Sequence, residues 1–215
     1  MDFAKLFQSI EGAVFEVMVW ILFLPRTLFR SMFRPRWAIE YLNEEWNKDA
    51  DERFDDYLSP VLLWLMVAVI PTSSILTLSD PQFLQEMADL LPKVTDPQRL
   101  FIATLYSMII PFMYLVYLEW LNKRPVKKST LRRSFYMHCY ALAPAQFLFG
   151  ISLFPAAFNP LFFFFTFLSI LLLGFYEGFV FQYELKISYM KALMYAFVPQ
   201  VFMIVVFVGL LGLIL

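Results

Sequence analysis

Five stretches of this chain are long and apolar enough to cross ~30 Å of hydrocarbon, which takes roughly 20 residues in a helix. They lie at about 60–79, 100–121, 134–155, 161–181 and 192–215. This constrains the fold strongly, because backbone amides in lipid must be satisfied inside the segment, and only helices and closed barrels manage it. Composition agrees: 60% of the 215 residues are hydrophobic and 16% charged, against about 45–50% and about 25% in a soluble domain. The expected fold is an all-α polytopic membrane protein. Five transmembrane helices (59–215) follow an N-terminal amphipathic, interfacial helical module (1–58). The fifth stretch runs to the last residue, so no C-terminal domain is expected.

Several function classes drop out on counts alone. A net charge of -1 leaves no electrostatic footprint for nucleic acid. The single cysteine, Cys139, permits no intramolecular disulfide. The single histidine, His138, makes a histidine-built metal site improbable, and no cofactor is expected. No cleavable signal is expected either: the apolar run Ala13–Leu24 follows Asp2 and Glu11 and ends at Pro25-Arg26, not at a small-residue cleavage site.

Helix starts are marked by a repeated dipeptide. Ser59-Pro60, Asp80-Pro81, Asp96-Pro97 and Asn159-Pro160 each put a capping side chain before a proline whose missing donor costs nothing in the first turn. Pro71, Pro111, Pro144 and Pro199 fall inside predicted spans, where each kinks its helix or frees a carbonyl.

Orientation follows from the cations. All but two of the 17 lysines and arginines, Lys93 and Arg99, lie before span one or in the loops 122–133 and 182–191. Positive charge is retained on the cytoplasmic side, which places the N-terminus inside and the C-terminus outside.

The twelve-residue run Ala13–Leu24 contains Glu16 and is too short to cross, so it is expected to be interfacial or re-entrant and to break at Pro25. Beyond it, Arg26, Arg30 and Arg34 recur every fourth residue, with Arg36 and Trp37 closing the segment. A basic, aromatic amphipathic stretch suits an anionic lipid surface, guanidinium groups on phosphates and rings at headgroup level. A helix packed on the bundle, with arginines that only obey the topology rule, fits the same residues. From Glu40 to Asp56, eight acids face two cations. This segment reads either as a solvated helix or as a docking surface for a partner or for the basic loop Lys123–Arg133.

Ionisable residues inside spans are costly and mark functional sites by default. Glu119, His138 and Glu177 are the three, all near cytoplasmic ends. Each can reach interfacial water or a neighbouring cation; alternatively the three converge on a polar cavity for a headgroup, ion or proton. Catalysis lacks its parts. There is no H-E-x-x-H pair, no G-x-S-x-G elbow and no glycine-rich phosphate loop, so an enzyme is not expected. Gly209-x-x-Gly212 falls one residue short of the spacing for close helix packing.

The layout resembles the Yip family (Ypt-interacting proteins). DDYLSP (Asp55–Pro60) is similar to the family's D-L-Y-G-P motif through Asp56, Tyr57 and Pro60, and YALAP to its span-three pattern through Tyr140 and Pro144. Lys191-Ala192 with Pro199 beyond, and PRTLFRSMFRP upstream, also fit. Leucine and serine stand where the motif has a differently placed tyrosine and a glycine, so Rab GTPase binding does not transfer. The resemblance implies a multi-pass protein of the bacterial inner membrane without an assigned reaction.

Two functions follow as expectations. One is a non-enzymatic scaffold that binds anionic phospholipid and presents charged segments to a homo-oligomer or another membrane protein. The alternative is a lipid or ion transporter or channel built on kinked helices and the Glu119, His138 and Glu177 cluster.

Overall fold

The computed structural model describes residues 3–49, 52–68, 96–123, 127–152 and 160–214. Among them every regular element is helical. In order these are α1 (Phe3–Phe33), α2 (Pro35–Trp46), α3 (60–68), α4 (Asp96–Asn122), α5 (Lys128–Ser152), α6 (Pro160–Leu185) and α7 (Tyr189–Ile214). Among the described residues, three stretches are long and apolar enough to cross a membrane: Ile10–Phe33, Phe164–Leu185 and Tyr189–Val206. Predicted spans two and three fall on α4 and α5, neither of which is among these three stretches, while 153–155 and most of span one, with Pro71 and Asp80-Pro81, lie outside the described residues.

The expected break at Pro25 is corrected. Helix α1 continues through Pro25 to Phe33, so the apolar segment is 24 residues long rather than twelve. Proline removes one donor, leaving the Ile21 carbonyl without its usual partner. The chain nevertheless stays helical, and beyond the proline Thr27, Leu28 and Ser31 are buried against the bundle, which holds the last turns of α1 in place. Close by, the Thr27 hydroxyl donates to the Phe23 carbonyl at 2.6 Å. The break falls instead at Arg34-Pro35, where proline takes the first position of α2 and has no donor to lose.

Helix α2 is amphipathic at helical spacing. Trp37, Ala38, Tyr41, Leu42 and Glu45 are buried on one face, while Arg36, Glu40 and Glu44 are exposed on the other. It lies across α5 and α6, and the C-terminal part of α1 also meets α5. The N-terminal helices therefore share one core with the bundle. After α2 the chain turns at Phe54, which holds a left-handed φ of 67°. At Ser59-Pro60 a helix opens as predicted, with the Leu63 N–H on the Ser59 carbonyl at 2.9 Å.

The bundle is centred on α5, flanked by α4 and α6, with α7 against α6. Proximity of α6 and α7 depends on Gly174 and Gly178, one turn apart on one face. A Cβ at Gly174 would lie 2.6 Å from the Phe197 ring, and one at Gly178 would lie 3.1 Å from Tyr189. The close-packing signature is thus Gly174-x-x-x-Gly178. Outward faces of α6 and α7 carry Phe164, Phe167, Leu171, Val198, Val201 and Phe202, all exposed. Such a surface needs lipid around it. The stretch Ile10–Phe33 of α1 is barer still: only 12% of its apolar window is buried, so most of the described side chains there face away from the rest of the protein.

Candidate functional site

His138 and Glu177 form a hydrogen-bonded pair. His138 sits on α5 and Glu177 on α6, between the two packing glycines; Nδ1 and Oε2 are 2.7 Å apart and both side chains are 0% exposed. Tyr114 from α4 and Phe181 from α6 flank the imidazole, with ring centroids 6.1 and 6.3 Å away. The separation suits one shared proton: held on Nδ1 it leaves a carboxylate, and held on Oε2 it leaves both groups neutral. The outer atoms of the pair, His138 Nε2 and Glu177 Oε1, have no hydrogen-bond partner, and neither has the Tyr114 hydroxyl. Buried polar atoms without partners are costly, so this is where a proton, a water or an ion would be stabilised. Glu119 is buried near the end of α4, and the hydrogen-bonded pair forms without it. Cys139, next to His138, is buried.

A second polar-aromatic assembly joins the N-terminal helices to the bundle. Trp37, Tyr41 and Tyr57 pack ring on ring at 4.7–5.0 Å, and Tyr140 closes the group at 6.1 Å from Trp37. Arg26 lies over the Tyr57 ring at 4.6 Å. Arg30 lies over Trp37 and Tyr57 at 5.2 and 5.3 Å and also donates to the Tyr57 hydroxyl. Cation–π contacts of this kind are worth ~0.5–1 kcal/mol at exposed sites. The two resemblance motifs meet here. The Tyr140 hydroxyl donates to the Leu58 carbonyl at 2.6 Å, and the Leu58 N–H donates to Thr27 Oγ1 at 3.2 Å. Pro60 begins α3, Pro144 lies inside α5, and Asp56 is exposed.

The expected lipid-surface contact of Trp37 is corrected: the ring is 9% exposed and stacked in the core. Its indole packs the start of α2 onto α5, and this contact is invisible in a linear amphipathic pattern. Arg26, Arg30, Arg34 and Arg36 are all exposed.

The acidic segment meets the basic one at Arg133. Arg133 donates to Asn43 and lies 3.5 Å from the Glu184 carboxylate, while Asn43 donates to the Tyr183 hydroxyl at 2.9 Å. One α5 guanidinium therefore ties α2 to the end of α6. Asn43, Tyr183 and Glu184 carried no sequence signal, since polar residues near predicted span ends are ordinary. Glu45 is the buried exception in the acidic run. Its two oxygens take Lys48 Nζ and the Phe54 N–H, each at 2.5 Å, which fixes the left-handed turn. Burial pushes the Tyr41 phenol well above its ordinary value, and the neighbouring Glu45 charge adds to the shift. A hydrogen bond to Glu45 raises Lys48.

No protein-family model matches the chain, and neither a curated protein nor a solved structure does.

Proposed function

We propose that this protein is a non-enzymatic organiser of the bacterial inner membrane, of the Yip-like type. It holds anionic phospholipid against its arginine-bearing junction and presents charged cytoplasmic segments to a partner or to another copy of itself. In this reading 60–79, 100–121, 134–155, 161–181 and 192–215 cross the bilayer, with the cation-rich side inward. Helix α1 lies along the cytoplasmic surface. Glu16 is exposed ten residues before Arg26, and if α1 crossed, that carboxylate would sit roughly 15 Å below the arginines, in mid-bilayer.

One observation carries the reading. Within 26–38, Thr27, Leu28, Ser31, Trp37 and Ala38 are buried against the bundle, while Arg26, Arg30, Arg34 and Arg36 are exposed. The cations are therefore held at a fixed height by a packed face. Arg26 and Arg30 also stack on rings, so Arg34 is the clean probe. Full-length Arg34→Glu protein is expected to retain less anionic phospholipid than wild type after extraction at low salt, with the difference shrinking at high salt. Equal retention at every salt concentration would overturn the proposal.

The His138–Glu177 pair favours a second reading, proton or ion passage. Reconstituted liposomes separate the two: flux abolished by Glu177→Gln and His138→Ala supports passage, whereas tight vesicles support the organiser.

A further inference from the structure

A groove of about 510 Å³ opens where the first turn of α2 lies against the end of α6. Arg36, Ile39, Glu40, Phe179, Tyr183 and Lys186 line it. Its level is fixed by two apolar stretches that cross in this reading. The α6 stretch ends at Leu185, next to Lys186, and the α7 stretch begins at Tyr189. A groove at the ends of such segments sits where hydrocarbon gives way to headgroups.

Its chemistry is graded in the same direction. Ile39 and Phe179 supply an apolar wall. Arg36 is held over the Phe179 ring at 5.7 Å, which leaves its planar fork of donors available. Lys186 is exposed on the turn after α6, in a left-handed conformation with φ 54°. Among the described residues neither cation is in an ion pair. Glu40 stands one helical turn beyond Arg36 on the same face of α2, so the groove carries a carboxylate beside two cations. That pattern repels a second anionic group and attracts an amine.

We infer that this groove binds one phospholipid headgroup of the amine-bearing phosphodiester class. Arg36 and Lys186 take the phosphate oxygens, Glu40 takes the ammonium, and the glycerol end rests on Ile39 and Phe179. The inference rests on the membrane reading above but concerns a discrete site rather than the arginine surface.

The test uses full-length protein in detergent micelles, titrated with short-chain phosphatidylethanolamine, short-chain phosphatidylglycerol or inorganic phosphate, and read by native mass spectrometry. Wild type is expected to hold one phosphatidylethanolamine in preference to phosphatidylglycerol. Arg36→Gln with Lys186→Gln should weaken that binding about tenfold or more, as expected for lost charge-assisted contacts. Glu40→Gln should erase the headgroup preference while leaving phosphate-dependent binding, and Lys186→Arg should retain it. The substituted side chains, Arg36, Glu40 and Lys186, are all exposed, and an unchanged melting temperature certifies the fold. Binding unaffected by the double substitution overturns the site. Displacement of the lipid by millimolar inorganic phosphate overturns the lipid as its occupant. Arg34→Glu separates the two claims. If it lowers anionic-lipid retention while the groove variants leave phosphatidylethanolamine binding intact, the groove fails and the organiser stands; if the groove variants weaken phosphatidylethanolamine binding and Arg34→Glu leaves anionic-lipid retention unchanged, the groove stands without the arginine surface.

Discussion

The Tyr140 hydroxyl donates to the Leu58 carbonyl at 2.6 Å, joining residues 82 apart in the chain. The Leu58 N–H donates to Thr27 Oγ1, so one residue accepts a hydrogen bond from α5 and donates one to α1. Tyr140→Phe removes a single oxygen and leaves a buried carbonyl without that donor. A loss of about 1–3 kcal/mol is expected, read as a lower melting temperature in micelles and faster proteolysis between α2 and α3. An unchanged melting temperature would show that this hydrogen bond does not hold the junction.

The two packing glycines should differ in what they tolerate. At Gly174 a methyl would lie 2.6 Å from the outer edge of the Phe197 ring, so that ring must shift to admit it. At Gly178 the nearest atom, on Tyr189, is 3.1 Å away. Gly174→Ala is therefore expected to cost about 1–3 kcal/mol and Gly178→Ala distinctly less, by thermal unfolding. The reverse order would mean that α6 and α7 are packed otherwise.

Removing one member of the buried pair should hurt more than replacing both. His138→Leu leaves Glu177 with no partner at full burial, and breaking such pairs costs about 3–5 kcal/mol. Adding Glu177→Met should recover much of that loss, since an apolar pair of similar volume needs no desolvation. A double variant that folds well yet abolishes liposome flux would assign the pair to passage; a double variant that is no more stable than the single would contradict the pairing.

Alkali should loosen the α2 junction. Burial raises the folded-state ionisation of Tyr41 above the unfolded value, which is about 10. The neutral phenol is the form the core accepts. Its contribution is complete below pH ~10 and declines as pH rises beyond that, because the unfolded chain loses the proton first. Trp37 is stacked on Tyr41 with ring centroids 5.0 Å apart, so tryptophan fluorescence should report the change. Tyr41→Phe should move the transition to higher pH, and an identical midpoint would sink the assignment.

The placement of α1 is open to labelling. Cys139 is the sole cysteine and is buried, so a Cys139→Ala background allows single reporters. A cysteine at Glu16 is expected to react with a membrane-impermeant reagent from the cytoplasmic side, as a surface helix requires. Complete protection from both sides would place α1 across the bilayer.

Much of the architecture was legible in the residues alone. The four-residue spacing of Arg26, Arg30 and Arg34 and the proline at the start of α3 are local signals, and local signals survive folding. The Gly174-x-x-x-Gly178 spacing is equally local, but only the packing of α6 on α7 shows that this face is the one in contact. Pro25 misled for a physical reason: it costs the helix one hydrogen bond, and burial of Thr27, Leu28 and Ser31 beyond it, a tertiary effect, keeps the helix going.

Hydrophobic content and cation placement, both properties of the linear chain, made this a helical protein with membrane-length segments and an arginine-rich junction. Which side chains meet was decided only by packing. Rotation and register of α5 against α6 put His138 on Glu177, and the seating of α2 on both helices buried Trp37 and turned Arg36 toward Lys186. Such contacts depend on the relative phase of distant helices, a quantity that no window of sequence contains.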